Sequence, residues 1–117
     1  MFIGIVGSRS FTNYDVMKQS ILDEVPLSII TGLVSGGAVG ADSLAQSLAD
    51  DISVSMIVHL PDWATHGKRA GFIRNGKIVE DSDMIFAFWD GESRGTLDSI
   101  NKAKRLGKTV RVIQYER

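Results

Sequence analysis

The chain contains no cysteine. Disulfides, thiolate nucleophiles and cysteine-based zinc sites are therefore excluded. Histidine is almost as scarce. His59 and His66 are the only two, so a histidine-rich metal site is not expected, and neither is a cofactor. Neither sign of charge is in excess. Lys plus Arg is 13 and Asp plus Glu is 14, a formal net charge of -1. Broad, non-specific nucleic-acid binding usually wants a basic surface. Nucleic acid is accordingly not expected as a partner, although the total leaves room for a local basic patch. No apolar run approaches the ~20 residues of a membrane span. The start, "MFIGIVGSRSF", lacks the basic region and the apolar length of a secretory signal. The chain is expected to be soluble and cytoplasmic, with no membrane partner.

What is present is regular punctuation. The length, 117 residues, fits one domain over 1–117, and a hydrophobic fraction of 44% is enough for a packed core without a staple. "FIGIVG" is a short apolar run ending in glycine and reads as a buried strand. "TNYDVMKQSILDEV" follows, with Thr12 or Asn13 as cap and with Val16, Ile21, Leu22 and Val25 on the buried side of a helix. "SIITGLVSGG" holds a second strand ending between Gly32 and Ser35. Ala41 to Asp50 reads as a helix with Leu44, Ala45, Leu48 and Ala49 on one face. "VSMIVHLP" is a third strand, stopped by Pro61. "DWATHGKRAGFIRN" is a loop entering a helix that runs to about Glu80. "DMIFAFWDG" is a fourth strand, "GTLDSINKAKRLGK" a helix capped by Gly107, and "TVRVIQY" the last strand.

Strands alternating with helices predict parallel β-α units with right-handed crossovers. Near-continuous apolar strands suit a sheet covered on both faces. The expected architecture is α/β: a single Rossmann-like, doubly wound domain of about five mainly parallel strands with helices on both faces. In such sheets ligands bind beyond the carboxyl ends of the strands. The loops there are "GSRS" (Gly7, Ser8, Arg9, Ser10), "SGGAVGAD" (Ser35 to Asp42), "PDW" (61–63) and "WDGESRGT" (Trp89 to Thr96). Three of the four carry Gly with Ser, Thr or Asp. Glycines let backbone N–H groups approach a ligand, and a helix starting there adds its free N–H groups and positive dipole end. Gly36, Gly37 and Gly40 open the second helix. Asp90, Gly91, Ser93, Gly95 and Thr96 lead into the last one. Two anion cradles on one edge suit a nucleotide-like ligand. Neither is a G-x-G-x-x-G fingerprint, and no Lys-Ser or Lys-Thr follows Gly40 as a P-loop needs.

Individual residues carry two readings each. Arg9 is a solvated loop charge or a clamp on phosphate or carboxylate, which planar guanidinium geometry favours. Its place on the rich edge favours the clamp. Asp42 caps its helix or accepts from ribose hydroxyls. Trp63 sits at the rim and Trp89 is partly buried; either could cover a base. His66, Lys68, Arg69 and Arg74 crowd into "HGKRAGFIRN". A charged run is a solvated helix face by default. However, Arg74 shares its face with Gly67, Ala70 and Gly71, small residues that permit close approach, and Asn75 stands beside it.

Four stretches, "GSRSF" (7–11), "SGGAVGADSLA" (35–45), "PDWATHGKRAGFIRN" (61–75) and "AFWDGESRGTLDSI" (87–100), together resemble the SLOG superfamily. That group includes the LOG cytokinin-activating phosphoribohydrolases and DprA. The chain is most similar to its small, single-domain YspA-like branch of bacteria and phages. The resemblance implies a nucleotide or nucleotide-derived ligand at the edge already identified. It also implies, on its own, a homodimer or higher homo-oligomer. In LOG-type enzymes an arginine on the third helix and a glutamate in a glycine-rich Thr-x-x-Glu motif support N-glycosidic cleavage. Arg74 matches the arginine, and Gly95 and Thr96 match the motif. The glutamate position is Ser99, with Asp98 one residue earlier and about 100° around the helix. The hydrolase machinery is thus incomplete, with Asp42 and Asp90 as candidate substitutes.

Three functions follow in order of preference. The first is binding of a nucleotide-derived small molecule, as a sensor or a sequestering protein. Backbone N–H groups of 8–10, 36–40 and 95–96 would hold phosphate, and Arg9, Lys68 and Arg74 would supply charge. The second is hydrolysis of a nucleoside 5′-monophosphate at its N-glycosidic bond, which needs a carboxylate. The third is single-stranded DNA binding as in DprA, placed last by the near-neutral charge.

Overall fold

A computed structural model describes residues 1–116. Five strands form one sheet: β1 (Phe2–Gly7), β2 (Gly32–Ser35), β3 (Ser55–Val58), β4 (Met84–Trp89) and β5 (Thr109–Gln114). Their spatial order is β3-β2-β1-β4-β5, and every neighbouring pair is parallel. The helices are α1 (Tyr14–Glu24), α2 (Ala41–Ile52), the single turn α3 (Trp63–His66), α4 (Ala70–Asp81) and α5 (Arg94–Arg105). The expected doubly wound α/β fold is what forms. Among the described residues, no helix is long and apolar enough to cross a membrane.

The period of two in the strands divides the interior into two cores. Ile3, Ile5, Leu33, Phe86 and Phe88 pack with Met17 and Ile21 of α1 and with Ala45 and Leu48 of α2. Val6, Val34, Ile85 and Ala87 pack with Ile78 and Val79 of α4 and with Ile100 and Ala103 of α5. Each fully buried large side chain contributes about 1.5–3 kcal/mol. The two layers hold the sheet rigid beneath its loops.

Local signals set the helix ends. Asn13 caps α1, its Oδ1 accepting from Val16 N–H at 3.1 Å. Gly107 closes α5 with φ of +69°: its N–H bonds Lys104 O and the Lys108 N–H bonds Ala103 O. That pair of bonds is the Schellman arrangement, which needs a left-handed residue. Two expectations change. Val16 is 37% exposed, and Met17 takes the buried place on α1. The stretch after Pro61 does not enter a helix directly. Asp62 caps α3 through Thr65 N–H (3.1 Å), Gly67 reverses the chain at φ +58°, and a 3-10 turn over Gly67–Arg69 leads into α4.

Strand order reverses beside β1. The chain runs outward through β2 and β3, then returns across the sheet to β4 on the other side of β1. Such a reversal parts the loops that leave the two central strands, and a crevice opens between them.

Candidate functional site

The crevice lies where that topology requires it. Its lining comes from Val6, Gly7 and Arg9 after β1, Ala38 and Asp42 after β2, and Arg74, Asn75 and Ile78 of α4. Ser93, Gly95, Thr96 and Ser99 come from the start of α5. Its volume is about 170 Å³.

Arg74 dominates one wall. It is half-buried; its Nη1 donates to Gly36 O at 2.8 Å and its Nε to Asn75 Oδ1 at 3.0 Å. Asn75 is itself buried, and its Nδ2 donates to Gly95 O and to Asp98 Oδ2, both at 3.2 Å. Lys102 completes this chain of contacts by pairing with Asp98. One asparagine thus ties the arginine of α4 to the first turn of α5. Gly36 has no side chain because the guanidinium lies where its Cβ would be, with Cζ 2.8 Å from that point. Among the described residues, Arg74 has no carboxylate at ion-pair distance. Burial pushes its pKa down, the Asp42 charge opposes this, and Arg9 adds to it.

Asp42 faces Arg74 across the cleft. Its Oδ2 accepts from Ala38 N–H at 3.1 Å. Burial pushes its carboxyl above the ordinary carboxylate range, against the Ala38 N–H, the Arg74 charge and the Gly36 N–H. The half-buried Arg74 and the exposed Arg9 line the same cleft as this carboxyl.

The opposite wall is the N-terminus of α5. Ser93 caps it, its Oγ accepting from Thr96 N–H at 3.3 Å. The N–H groups of Arg94 and Gly95 have no intrahelical acceptor at such a position. A Cβ added at Gly95 would meet nothing within 4 Å. Gly in a helix costs about 1 kcal/mol relative to Ala, and no packing contact here requires it. Gly95 lines the cleft beside those N–H groups, with open space where a side chain would stand. Ser99 lies deeper, buried, its Oγ donating to Gly95 O at 3.3 Å.

Eight of the expected site residues meet in the cleft: Gly7, Arg9, Asp42, Arg74, Asn75, Ser93, Gly95 and Thr96. The others have different placements. Ser8 is buried and joins the two central strands, its N–H to Phe88 O (3.0 Å) and its Oγ accepting from Asp90 N–H (3.2 Å). Ser10 Oγ bonds Tyr115 Oη at 2.8 Å, outside the cleft. Gly40, with φ of +79°, lets the β2–α2 loop lie against the β1–α1 loop; its Cβ would meet Ser8 O at 2.6 Å. Asp90 Oδ1 accepts from Glu92 N–H (2.9 Å) and Ser93 N–H (2.8 Å), so it shapes the turn ahead of α5. Gly91, at φ +85°, makes that turn. Trp63 is 58% exposed and lies beside Gly71, while Lys68 is exposed on the 3-10 turn. Trp89 packs against the α4–α5 core and donates Nε1–H to Ser93 O at 3.0 Å. Ser35 and Gly37 line a separate hollow on the α2 side.

Sequence reasoning left out the apolar walls, Val6 and Ile78, which carry no chemical signature, and it reached Ala38 only as part of the 36–40 backbone. Ser99 did have one, its coincidence with the glutamate position of the LOG motif. Among the described residues, no group of three or more His, Asp or Glu is placed to hold a metal ion.

No family model matches the chain. The structure is similar to DNA processing protein A (DprA) of Streptococcus pneumoniae, with a TM-score of 0.73 at 17% identity. The match covers 94% of this chain and 49% of that one, so the chain spans about half the length of that protein. The shared feature is the fold. This finding overturns the expectation that nucleic acid is not a partner, because the same scaffold serves a DNA processing protein. The reasoning failed because net charge averages the whole surface, whereas phosphate contacts depend on local cations. Arg9, Lys68, Arg69 and Arg74 all belong to the loops and helices around this edge. In sequence, the chain is 33% identical over 115 residues to the Gene 61 protein of Mycobacterium phage D29, covering 91% of this chain and 90% of that protein. The chain belongs to the family of that phage Gene 61 protein.

Proposed function

We propose that residues 1–117 act as one cytoplasmic domain that binds a nucleotide or nucleotide-derived molecule by its phosphate, as a sensor or a sequestering protein. The observation that carries this reading is Arg74. A half-buried guanidinium without a carboxylate at ion-pair distance is costly unless an anion completes it. It lines the same small cleft as the open first turn of α5. Phosphate satisfies both, through charge-assisted bonds from the guanidinium and from the helix N–H groups. Membership of the small YspA-like branch goes with this reading and is supported by the order and spacing of the four matching stretches.

A second reading, single-stranded DNA binding, is favoured by the fold shared with DNA processing protein A. A strand would present the same phosphate chemistry to the same groups. Hydrolysis is the weaker alternative. The cleft offers Ser99 where the hydrolase motif has glutamate, and Asp42 is the carboxylate on its lining.

Small molecules released from natively purified protein and identified by mass spectrometry test the first reading, together with titration calorimetry against ribose 5-phosphate and the four nucleoside 5′-monophosphates. A phosphorylated nucleoside in the released pool, or calorimetric binding lost on Arg74→Ala, is the expected result. Absence of both, with salt-sensitive binding of a labelled oligonucleotide, would replace it by the second reading. Release of free base from a monophosphate by wild-type protein would establish the hydrolase.

A further inference from the structure

Arg74 and Asn75 are neighbours on α4. Adjacent residues of a helix point about 100° apart and do not ordinarily meet. Yet Asn75 Oδ1 accepts from Arg74 Nε at 3.0 Å. A group outside the pair must turn the amide toward the guanidinium.

Two acceptors on α5 do so. Asn75 Nδ2 donates to Gly95 O and to Asp98 Oδ2, each at 3.2 Å. A primary amide has two donor hydrogens on its nitrogen, and both are used. Turned over, the amide would set Oδ1 against two acceptors and its N–H groups against a donor. Asn75 is buried, so that mismatch would be costly. The two acceptors are not equal. Gly95 O also takes the Ser99 hydroxyl at 3.3 Å. Asp98 offers a carboxylate, and Lys102 holds its Oδ2 in place. Lys102 in turn packs on α4, its Nζ 5.6 Å from the centre of the Phe72 ring. Asp98 is not on the cleft lining. It is committed to Asn75 and Lys102, on the side of α5 that meets α4.

Resting on the phosphate reading above, we infer that Asp98 is a positioning residue for that anion: through Asn75 it orients the Arg74 guanidinium from outside the cleft. A guanidinium has five N–H bonds in a rigid fork. Asn75 Oδ1 and Gly36 O each take one, from different nitrogens, and together they fix the plane. The other N–H groups then meet phosphate already oriented, without the ordering cost that a loose side chain adds to binding.

Titration calorimetry with inorganic phosphate and ribose 5-phosphate reads affinity. The nitrogen–proton NMR signal of Arg74 Nε reads the guanidinium with no ligand present. Asp98→Ala weakens both compounds about 3- to 10-fold, as for one lost hydrogen bond, and its Arg74 Nε signal shifts and exchanges faster with water. Asp98→Asn keeps an oxygen for Asn75 and discards the charge; it recovers affinity to within about twofold of wild type. Asp98→Glu keeps the charge and the Lys102 partner but moves the oxygen by one methylene; it loses affinity as the alanine variant does. A role in charge or helix stability alone gives the reverse order of these two, and that order overturns the inference. In an Arg74→Ala background, Asp98→Ala costs less than about twofold, since both act on one contact; losses that add overturn it as well. The glutamate variant retains the helix pair, so it decides even if the alanine variant folds poorly. If neither compound binds wild-type protein, the phosphate reading fails by itself. The Nε signal then decides the positioning, and a signal unchanged in Asp98→Ala and Asp98→Glu overturns it.

Discussion

Replacing Gly36 by alanine isolates the arginine without touching it. A Cβ at this position would lie 2.8 Å from Arg74 Cζ and 3.1 Å from its Cδ. What it meets is the far end of a flexible side chain, so Arg74 swings away and the backbone stays. The φ of Gly36 is outside the left-handed region, so alanine adds no backbone strain. The fold loses the Arg74 Nη1 to Gly36 O bond, about 1 kcal/mol for a group that water can still reach. Alanine also restricts the unfolded chain, returning about 0.4–1 kcal/mol. The net change is within about 1 kcal/mol, or a melting shift of no more than about 4 °C. Affinity responds differently. Loss of a charged hydrogen-bond donor at phosphate costs about 1.5–3 kcal/mol, which is about a 10- to 150-fold rise in Kd. Calorimetry with the phosphorylated ligand that wild-type protein binds best reads this directly. The double variant Gly36→Ala/Arg74→Ala is expected to bind no worse than Arg74→Ala alone, since both remove the same contact. Wild-type affinity in a folded Gly36→Ala protein, or losses that add in the double variant, would refute the placement of Arg74 over Gly36.

Arg69→Ala serves as the positional control: it lies on the 3-10 turn ahead of α4, exposed, and its loss should change affinity less than threefold where Arg74→Ala changes it tenfold or more. Asn75→Ala strips partners from Arg74 Nε, Gly95 O and Asp98 Oδ2; urea titration should show a loss of about 1–3 kcal/mol, with weakened phosphate binding in the fraction that folds. Gly40→Ala meets rigid carbonyls, Arg9 O at 2.5 Å and Ser8 O at 2.6 Å, at a φ of +79°; a stability loss of about 2 kcal/mol or more in the same titration is expected. Tyr14 has its phenol pushed up to about 12, by burial first, then by its hydrogen bond to Asp51 and that carboxylate's charge. The raised value means that folding favours the protonated phenol. This contribution is complete below the ordinary value of 10.0 and is lost as pH rises through about 12. Tyr14→Phe should abolish that part of the alkaline stability loss, and an unchanged profile would exclude it.

The order of elements was legible because each strand and helix carries its own period and its own stop signal. The carboxyl-edge loops were legible for the same reason, as glycine, serine and aspartate cluster where strands end. What occupies each glycine's missing side chain was not legible. Gly36 and Gly40 read alike in the sequence, yet one makes room for a guanidinium and the other for two carbonyls. Both partners come from distant segments, so only packing reveals them. The internal partners of Ser8 and Asp90 were hidden for the same reason. A hydroxyl or carboxylate in a loop serves a neighbouring N–H as readily as a substrate; here Ser8 Oγ accepts from Asp90 N–H across the two loops, and Asp90 Oδ1 accepts from Ser93 N–H of its own turn. On α1, helical periodicity could not choose between adjacent apolar residues, and the sheet selected Met17 over Val16.

The pairing of β1 with β4 has a consequence for how the site comes into being. Ile3 lies opposite Met84 and Gly7 opposite Phe88, some eighty residues apart along the chain. Closing so long a loop is entropically expensive and slow compared with local contacts. The cleft straddles this junction, so neither half of the chain contains it. A fragment ending after β3 holds the glycine-rich loop of α2 but neither Arg74 nor the first turn of α5. Occupancy and completion of the sheet are therefore one equilibrium. A ligand at 100 times its Kd adds about 2.7 kcal/mol to the stability of the assembled chain. Hydrogen exchange should register that gain in the innermost amides of β1 and β4, not merely in the loops that touch the ligand.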